Sequence, residues 1–203
     1  TGCGVMNGDM RDQPPRLLLV SGSPSLRSKT SVVLAIVANR ALAAGAAVQT
    51  VSVRDFPADA LLFADVAHAS LQTFLAQVAW ADAIVIATPI YKASYTGVLK
   101  ALLDVVPPGA FAGKAVLPLA TAGTLAHFLA LDFALRPVLS FLGARDTLGN
   151  VFLLESSFRD AAAGVLEEAA EERLSNGIAD LLAVLGCPGR IVSQTHSAGV
   201  PAA

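Results

Sequence analysis

The sequence has only two cysteines, Cys3 and Cys187, one near each end and in no metal-ligand or redox spacing. That excludes a disulfide framework and makes a reducing cytoplasm the expected compartment. It has no run of lysine or arginine and a formal net charge of −2. Nucleic acid is thereby argued against as the main partner, and so is a strongly acidic electron-carrier surface. No segment reaches the ~20 apolar residues of a membrane span. The glycines of a dinucleotide fingerprint and of a Walker loop are both missing. There is also no His/Asp or paired-carboxylate constellation of the kind acid–base catalysis uses. What the chain has is apolarity: 54% hydrophobic against 15% charged residues over 203 positions. Much of this is alanine, yet several helical stretches lack a fully polar face, which predicts self-association.

The chain is organised around residues 17–31, LLLVSGSPSLRSKTS. Leu17 to Val20 is an apolar run of buried-strand length. It breaks at Gly22 and Pro24 into hydroxyl-bearing and basic residues, then resumes with helical spacing at Val32, Val33, Ile36 and Val37. Strand, polar loop and helix start are the parts of an anion cradle, because loop N–H groups, hydroxyls and the positive end of a helix dipole converge there. Without Rossmann or Walker glycines, a phosphate would be held largely by hydroxyls. Alone, such a stretch is more often an ordinary strand-to-helix turn with a capped helix.

Strand and helix then alternate. Helices are expected over 30–44, 67–80, 96–105, 125–142 and 161–185, and strands over 48–53, 83–87, 114–120 and 147–154. Residues 83–87, AIVIA, read as a strand buried on both faces. Pro137 falls inside the expected fourth helix, where a missing N–H should kink or widen it. The alternation predicts an α/β fold, a five-stranded parallel sheet with helices on both faces and right-handed crossovers. A single domain is expected over 16–190, with a flexible leader over 1–15 and a flexible tail over 191–203.

Ligands of open α/β sheets bind outside the carboxyl ends of the strands. Three loops fall there: Gly22 to Ser31; Pro89, Ile90, Tyr91 and Lys92; and Thr121, Ala122, Gly123 and Thr124, with His127 one turn on. The first offers phosphate donors in Ser23, Arg27, Ser28, Lys29, Thr30 and Ser31. The second places an aromatic and a cation beside a rigid turn. The third is small enough for a flat ring to approach backbone. Each has a plainer reading: Tyr91 as a packed loop residue, Lys92 as a solvated surface lysine, His127 as a structural histidine. Together they describe a site for flavin mononucleotide (FMN).

Three motifs carry a family resemblance: Gly22-Ser23-Pro24 with Ser28-Lys29-Thr30-Ser31; Ala87 through Tyr91, Lys92, Tyr95, Gly97 and Lys100 to Asp104; and Leu117 to Thr121 followed by Gly123-Thr124 and Ala126-His127. On them the chain resembles the NAD(P)H-dependent FMN reductases, in particular the reductase component of two-component alkanesulfonate monooxygenases. The resemblance covers residues 17–152. It implies a flavodoxin-like three-layer sandwich with strand order 2-1-3-4-5. It further implies hydride transfer from NADPH or NADH to FMN, homodimers or homotetramers, and delivery of reduced flavin to a partner monooxygenase. Two positions depart: Ala122 precedes Gly123 where the family has Gly-Gly, and Phe133 replaces the tyrosine of a widened helix at the relatives' tetramer interface. Hydride passes between cofactors, so no catalytic side chain is expected, and the protein's work is orientation. The binding candidates are the fourteen residues of the three loops, and Asp104 is expected to serve structure or an interface. Two other readings stand beside this one: a flavoprotein that keeps its FMN and reduces quinones, azo compounds or metal ions, and a non-catalytic flavodoxin-type carrier.

Overall fold

The computed structural model describes residues 13–187. Most of the leader and all of the tail expected from the sequence, with Cys3, lie outside the described residues. Among the described residues eight strands and six α-helices follow in the order β1 (Arg16–Ser21), α1 (Lys29–Ala43), β2 (Ala47–Ser52), α2 (Ala58–Leu62), α3 (Ala69–Trp80), β3 (Ala83–Tyr91), β4 (Ser94–Tyr95), α4 (Gly97–Asp104), β5 (Ala115–Ala122), α5 (Arg136–Phe141), β6 (Val151–Leu154), β7 (Phe158–Asp160), β8 (Val165–Leu166) and α6 (Glu168–Val184). The five long strands form a parallel sheet in the order β2-β1-β3-β5-β6. This is the expected doubly wound order. The short β4 adds antiparallel pairing at the end of β3.

Alternation of side chains along each strand sorts the core into two layers. Leu18, Val20, Ile84, Ile86, Val116 and Ala120 face α3, α4 and α5. Leu17, Leu19, Ala83, Val85, Leu117 and Leu119 face α1 and α6. Both faces of β1, β3 and β5 are covered, which is why these strands read as continuous apolar runs rather than alternating ones. Each fully buried Leu or Ile contributes roughly 1.5–3 kcal/mol of transfer free energy. The α6 layer lies close: a Cβ on Gly177 would stand 2.4 Å from Val151 Cγ2.

Several elements differ from the expected boundaries: β3 runs on through Tyr91 and β5 through Ala122, so Pro89 to Tyr91 and Thr121–Ala122, expected as loop, are strand, and α2 was not expected. The stretch expected as one helix over 125–142 is a 3-10 turn (Leu125–His127), a π-helix (Leu131–Leu135) and then α5. The cause is Pro137, which has no N–H to give the carbonyl four residues back. Arg136 N–H instead bonds the carbonyl of Leu131, five residues back, and the turn widens. The closing helix begins at Glu168, not at 161. Asp160 Oδ1 accepts the backbone N–H groups of Ala162 and Ala163 at 2.9 and 3.0 Å, and Gly164 turns at φ +70°. A side chain that captures local N–H groups competes with helix, and the result is the β7–β8 hairpin. Finally β6 starts at Val151, with Thr147 making only an isolated bridge to Val116. Among the described residues no helix is long and apolar enough to cross a membrane.

Candidate functional site

The loops after β1, β3 and β5 meet at the carboxyl edge of the sheet, and hydrogen bonds tie them together. Gly22 N–H donates to the carbonyl of Ala87 at 2.7 Å, and Thr96 Oγ1 donates to the carbonyl of Gly22 at 2.6 Å. Thr96 is the N-cap of α4, its hydroxyl also accepting Leu99 N–H at 3.2 Å. The first loop is thus bolted to the helix that follows the second. Only glycine fits at position 22: a Cβ there would stand 2.8 Å from Leu99 Cδ2 and 3.2 Å from the Ala87 carbonyl oxygen. The first and third loops are joined by a hydrogen bond of 2.7 Å between the hydroxyls of Thr30 and Thr121, both buried.

The start of α1 is left open to an anion. Its N-cap, Ser28, has extended backbone (φ −124°, ψ 127°) but makes no side-chain capping bond, and the first turn holds no acidic residue. The first N–H groups of a helix need partners, and its dipole favours negative charge. Lys29, the first helical residue, is of the wrong sign for that dipole. Its ammonium is instead drawn away to Glu155, 2.8 Å from the carbonyl oxygen and 3.4 Å from the carboxylate, and lies over the Phe158 ring. Ser21, the last residue of β1, is buried and its Oγ has no partner, the one such side-chain atom among the described residues. An unpaired buried hydroxyl costs about 1–3 kcal/mol, so a ligand or water that bonds it recovers that amount. Ser23, also buried, accepts Ser25 N–H at 3.3 Å.

The second loop is a hairpin closed by two residues. Ile90 pairs with Tyr95 and Tyr91 with Ser94, leaving Lys92 and Ala93 at the tip with φ of 51° and 63°. Two successive left-handed residues make the turn type that asparagine and glycine favour, and without them it carries about 1–2 kcal/mol of strain per residue. Backbone strain of this kind clusters where structure serves function. Pro89 and Ile90 are buried, whereas Tyr91 is 49% exposed and Lys92 and Ala93 face solvent. Tyr95 packs into the core, where burial pushes its phenol pKa up.

In the third loop, Ala122 packs its methyl into the layer facing α5 and leaves only backbone toward the edge. Gly123 is exposed, and a Cβ built on it meets nothing within 4 Å. The space above it is open. Thr124 caps the following 3-10 turn, accepting Ala126 N–H at 3.3 Å. Arg27, Ser31 and Lys92 are exposed and His127 half-buried. Asp104 pairs with Lys100 at 2.6 Å on the outer face of α4, and the partnership holds the lysine pKa up.

These residues fit FMN. An uncapped helix start with hydroxyls in the same loop suits a phosphate ester, and the open space over Gly123 suits a flat ring. Ser21, Thr88 and Thr96 were not singled out from the sequence. Thr88 Oγ1 donates to the Pro89 carbonyl at 2.9 Å and accepts Thr96 N–H at 3.3 Å, so it shapes the second loop from inside. Thr96 carried a readable signal, a threonine just before a helical run. Ser21 and Thr88 sit at the ends of apolar strands, where nothing in the pattern sets them apart.

A concavity of about 270 Å³ lies at the opposite edge of the sheet, lined by Arg16, Asp82, Lys114 and Asp146 among others. Its cations are committed: Arg16 to Asp82 at 2.8 Å, and Lys114 to the Ala81 carbonyl at 2.5 Å, where burial holds the lysine pKa down.

A family described as NADPH-dependent FMN reductase matches residues 15–159. A protein of Pseudomonas putida (strain KT2440) named FMN reductase (NADPH) is 45% identical over 162 residues, 78% of this chain and 82% of its own. One of the same name from Escherichia coli (strain K12) is 42% identical over 145 residues, 71% and 76%. Among solved structures, the apo form of an NADH:FMN oxidoreductase (EMOB) superposes with a TM-score of 0.78 at 39% identity, covering 87% of this chain and 92% of that one.

Proposed function

The chain belongs to the NADPH-dependent FMN reductase family, and from that premise we propose that it reduces FMN with NADPH at the carboxyl edge of its sheet. The observation that carries the placement is the start of α1, left without a side-chain cap or a first-turn acid, at the edge where the Thr30–Thr121 hydrogen bond joins two of the loops. Ser23, Ser28, Thr30 and Ser31, with first-turn N–H groups and the charge of Arg27, hold the phosphate. Pro89, Ile90, Tyr91 and Lys92 on one side, with the backbone of Thr121, Ala122, Gly123 and Thr124 on the other, hold the ring and ribityl chain. Lys29 acts at one remove, its ion pair with Glu155 fixing the helix start.

When bound, FMN accepts hydride from the nicotinamide, so no side chain needs to move a proton to start the reaction. The residues orient. The strained turn at Lys92 and Ala93 sets Tyr91 at the mouth, Gly123 keeps one approach to the ring clear, and the Thr30–Thr121 bond fixes the distance between phosphate and ring loops. Holding two flat rings in reacting geometry is worth several kcal/mol of barrier, up to about 7–11 in the best-aligned cases.

The exposed apolar residues support an oligomer. Leu125, Phe128, Leu129, Phe133 and Phe141 lie on or beside the π-helix, Phe133 at 77% exposure, and large exposed apolar groups gathered in one region mark an interface. The assembly is a homodimer or homotetramer formed through this region, and a chain sedimenting as a monomer at micromolar concentration refutes that. The protein works in the cytoplasm and passes reduced FMN to a flavin-dependent monooxygenase, a sulfonate-desulfonating enzyme by the resemblance of its motifs.

Steady-state oxidation of NADPH and NADH, with and without added FMN, tests the reading. Oxidation that rises and saturates with FMN supports it. Protein that is yellow as purified and oxidises NADPH at full rate without added FMN supports a resident flavin instead. No bleaching of flavin by either nucleotide refutes the enzyme.

A further inference from the structure

Arg54 lies outside all three loops, on the short 3-10 turn Val53–Asp55 that follows β2. Its backbone is held firmly. Val53 and Phe56 on either side are buried, and Phe56 packs edge-on against Phe74 at 5.8 Å. The turn is closed by a reciprocal cap: Ser52 N–H donates to Asp55 Oδ2 at 2.7 Å, and Arg54 N–H donates to Ser52 Oγ at 3.2 Å. From this platform Arg54 Nη1 reaches across and donates to the Pro24 carbonyl at 2.7 Å.

Pro24 to Arg27 is the exposed tip of the phosphate loop. Its remaining hydrogen bonds are local, Ser25 N–H to Ser23 Oγ and Ser25 Oγ to the Arg27 carbonyl. Among the described residues the Arg54 bond is therefore the one that ties this tip to another element. It is a charge-assisted bond from a planar donor that has further N–H groups to offer. Arg54 makes no ion pair among the described residues, and it places a positive charge beside a loop that, on the reading above, receives a dianionic ester.

We propose that Arg54 is a positioning residue for the FMN phosphate: it fixes the tip of the phosphate loop through the Pro24 carbonyl and adds positive charge to the field that the phosphate enters. The proposal rests on the placement of FMN given above. It predicts discrimination between flavins, because riboflavin has the ring and lacks the phosphate. A residue that merely stabilised the fold would weaken both alike.

The test is binding of FMN and of riboflavin, by quenching of flavin fluorescence, to wild-type protein, Arg54→Met and Arg54→Lys, with kcat and KM for FMN beside it. The methionine variant is expected to raise the Kd and KM for FMN about tenfold, the size of one lost charge-assisted bond, with riboflavin affinity and kcat at saturating FMN within twofold of wild type. Arg54→Lys, which keeps the charge and one donor, is expected to recover FMN binding to within about threefold. Equal losses for FMN and riboflavin, or no loss for either, overturn the proposal. A lysine variant as weak as methionine overturns the role given to charge. If Arg54→Met fails to fold, Arg54→Gln decides: FMN affinity lost by a larger factor than riboflavin affinity supports the proposal, and equal factors overturn it. Wild-type protein that binds no FMN sinks the underlying reading, a result distinct from any of these.

Discussion

Gly22→Ala tests how the phosphate loop is seated. The added methyl would meet Leu99 Cδ2 at 2.8 Å, Leu99 Cβ at 3.0 Å and the Ala87 carbonyl oxygen at 3.2 Å. Ordinary contacts are about 3.5–4.0 Å, so the loop must retreat by roughly 0.5–1 Å. Leu99 is fully buried and the Ala87 carbonyl is part of the sheet, so neither moves cheaply. Retreat stretches the 2.7 Å bond from Gly22 N–H and the 2.6 Å bond from Thr96 Oγ1. Overpacking of this kind costs about 1–3 kcal/mol. At about 2–4 °C per kcal/mol for a chain of this size, Tm falls by roughly 2–12 °C. Urea and thermal unfolding without flavin, at one fixed protein concentration, measure the stability. FMN titration measures the site, and affinity is expected to fall as well, because the same loop bears Ser23. Leu99→Ala opens space and costs about 2–5 kcal/mol alone, but the double variant should be more stable than the sum predicts, by at least about 1 kcal/mol. Unchanged midpoint and unchanged FMN affinity in Gly22→Ala, or strict additivity with Leu99→Ala, refutes this account of the loop.

Ala93→Gly relieves the second left-handed residue of the Lys92–Ala93 turn and should stabilise the protein by up to about 1 kcal/mol; a lower unfolding midpoint contradicts the strain assigned there. Thr30→Val leaves the Thr121 hydroxyl buried without its partner and should cost about 1–3 kcal/mol, with FMN bound more weakly by a larger factor than riboflavin. Equal factors for the two flavins remove Thr30 from the phosphate site. Gly123→Leu places a side chain where nothing lies within 4 Å, so unfolding should be unchanged while flavin affinity drops; unchanged affinity means that the ring lies elsewhere.

Much of this was legible along the chain. Runs such as Leu17–Val20 and Ala83–Ala87 announce strands covered on both sides, because burial of both faces removes any need for polar residues between them. The order of strands and helices, and with it the edge where the loops gather, follows from that pattern and from the handedness of parallel crossovers. Pro137 announced the widened turn, since a missing N–H is a property of the residue itself and not of its neighbours. The glycine and hydroxyl loop after β1 and the Pro89-to-Lys92 stretch were likewise visible as residue types.

The tertiary structure decided which of these groups are free. Lys29 and Arg27 look alike in the sequence, two cations in one loop, yet only the fold turns Lys29 aside to Glu155, a residue 126 positions away. Ser21 is one more small residue at a strand end until the packing leaves its hydroxyl buried and unpaired. Ala122 sits at the end of β5, beside Gly123 at the carboxyl edge, but its methyl belongs to the core. Arg54 is distant from the phosphate loop in the chain and a hydrogen bond away in space. Local propensity and hydrophobic period act over a turn or a strand and can be read there. Hydrogen-bond partners and steric clearance are relations between distant segments, and only the folded packing supplies them.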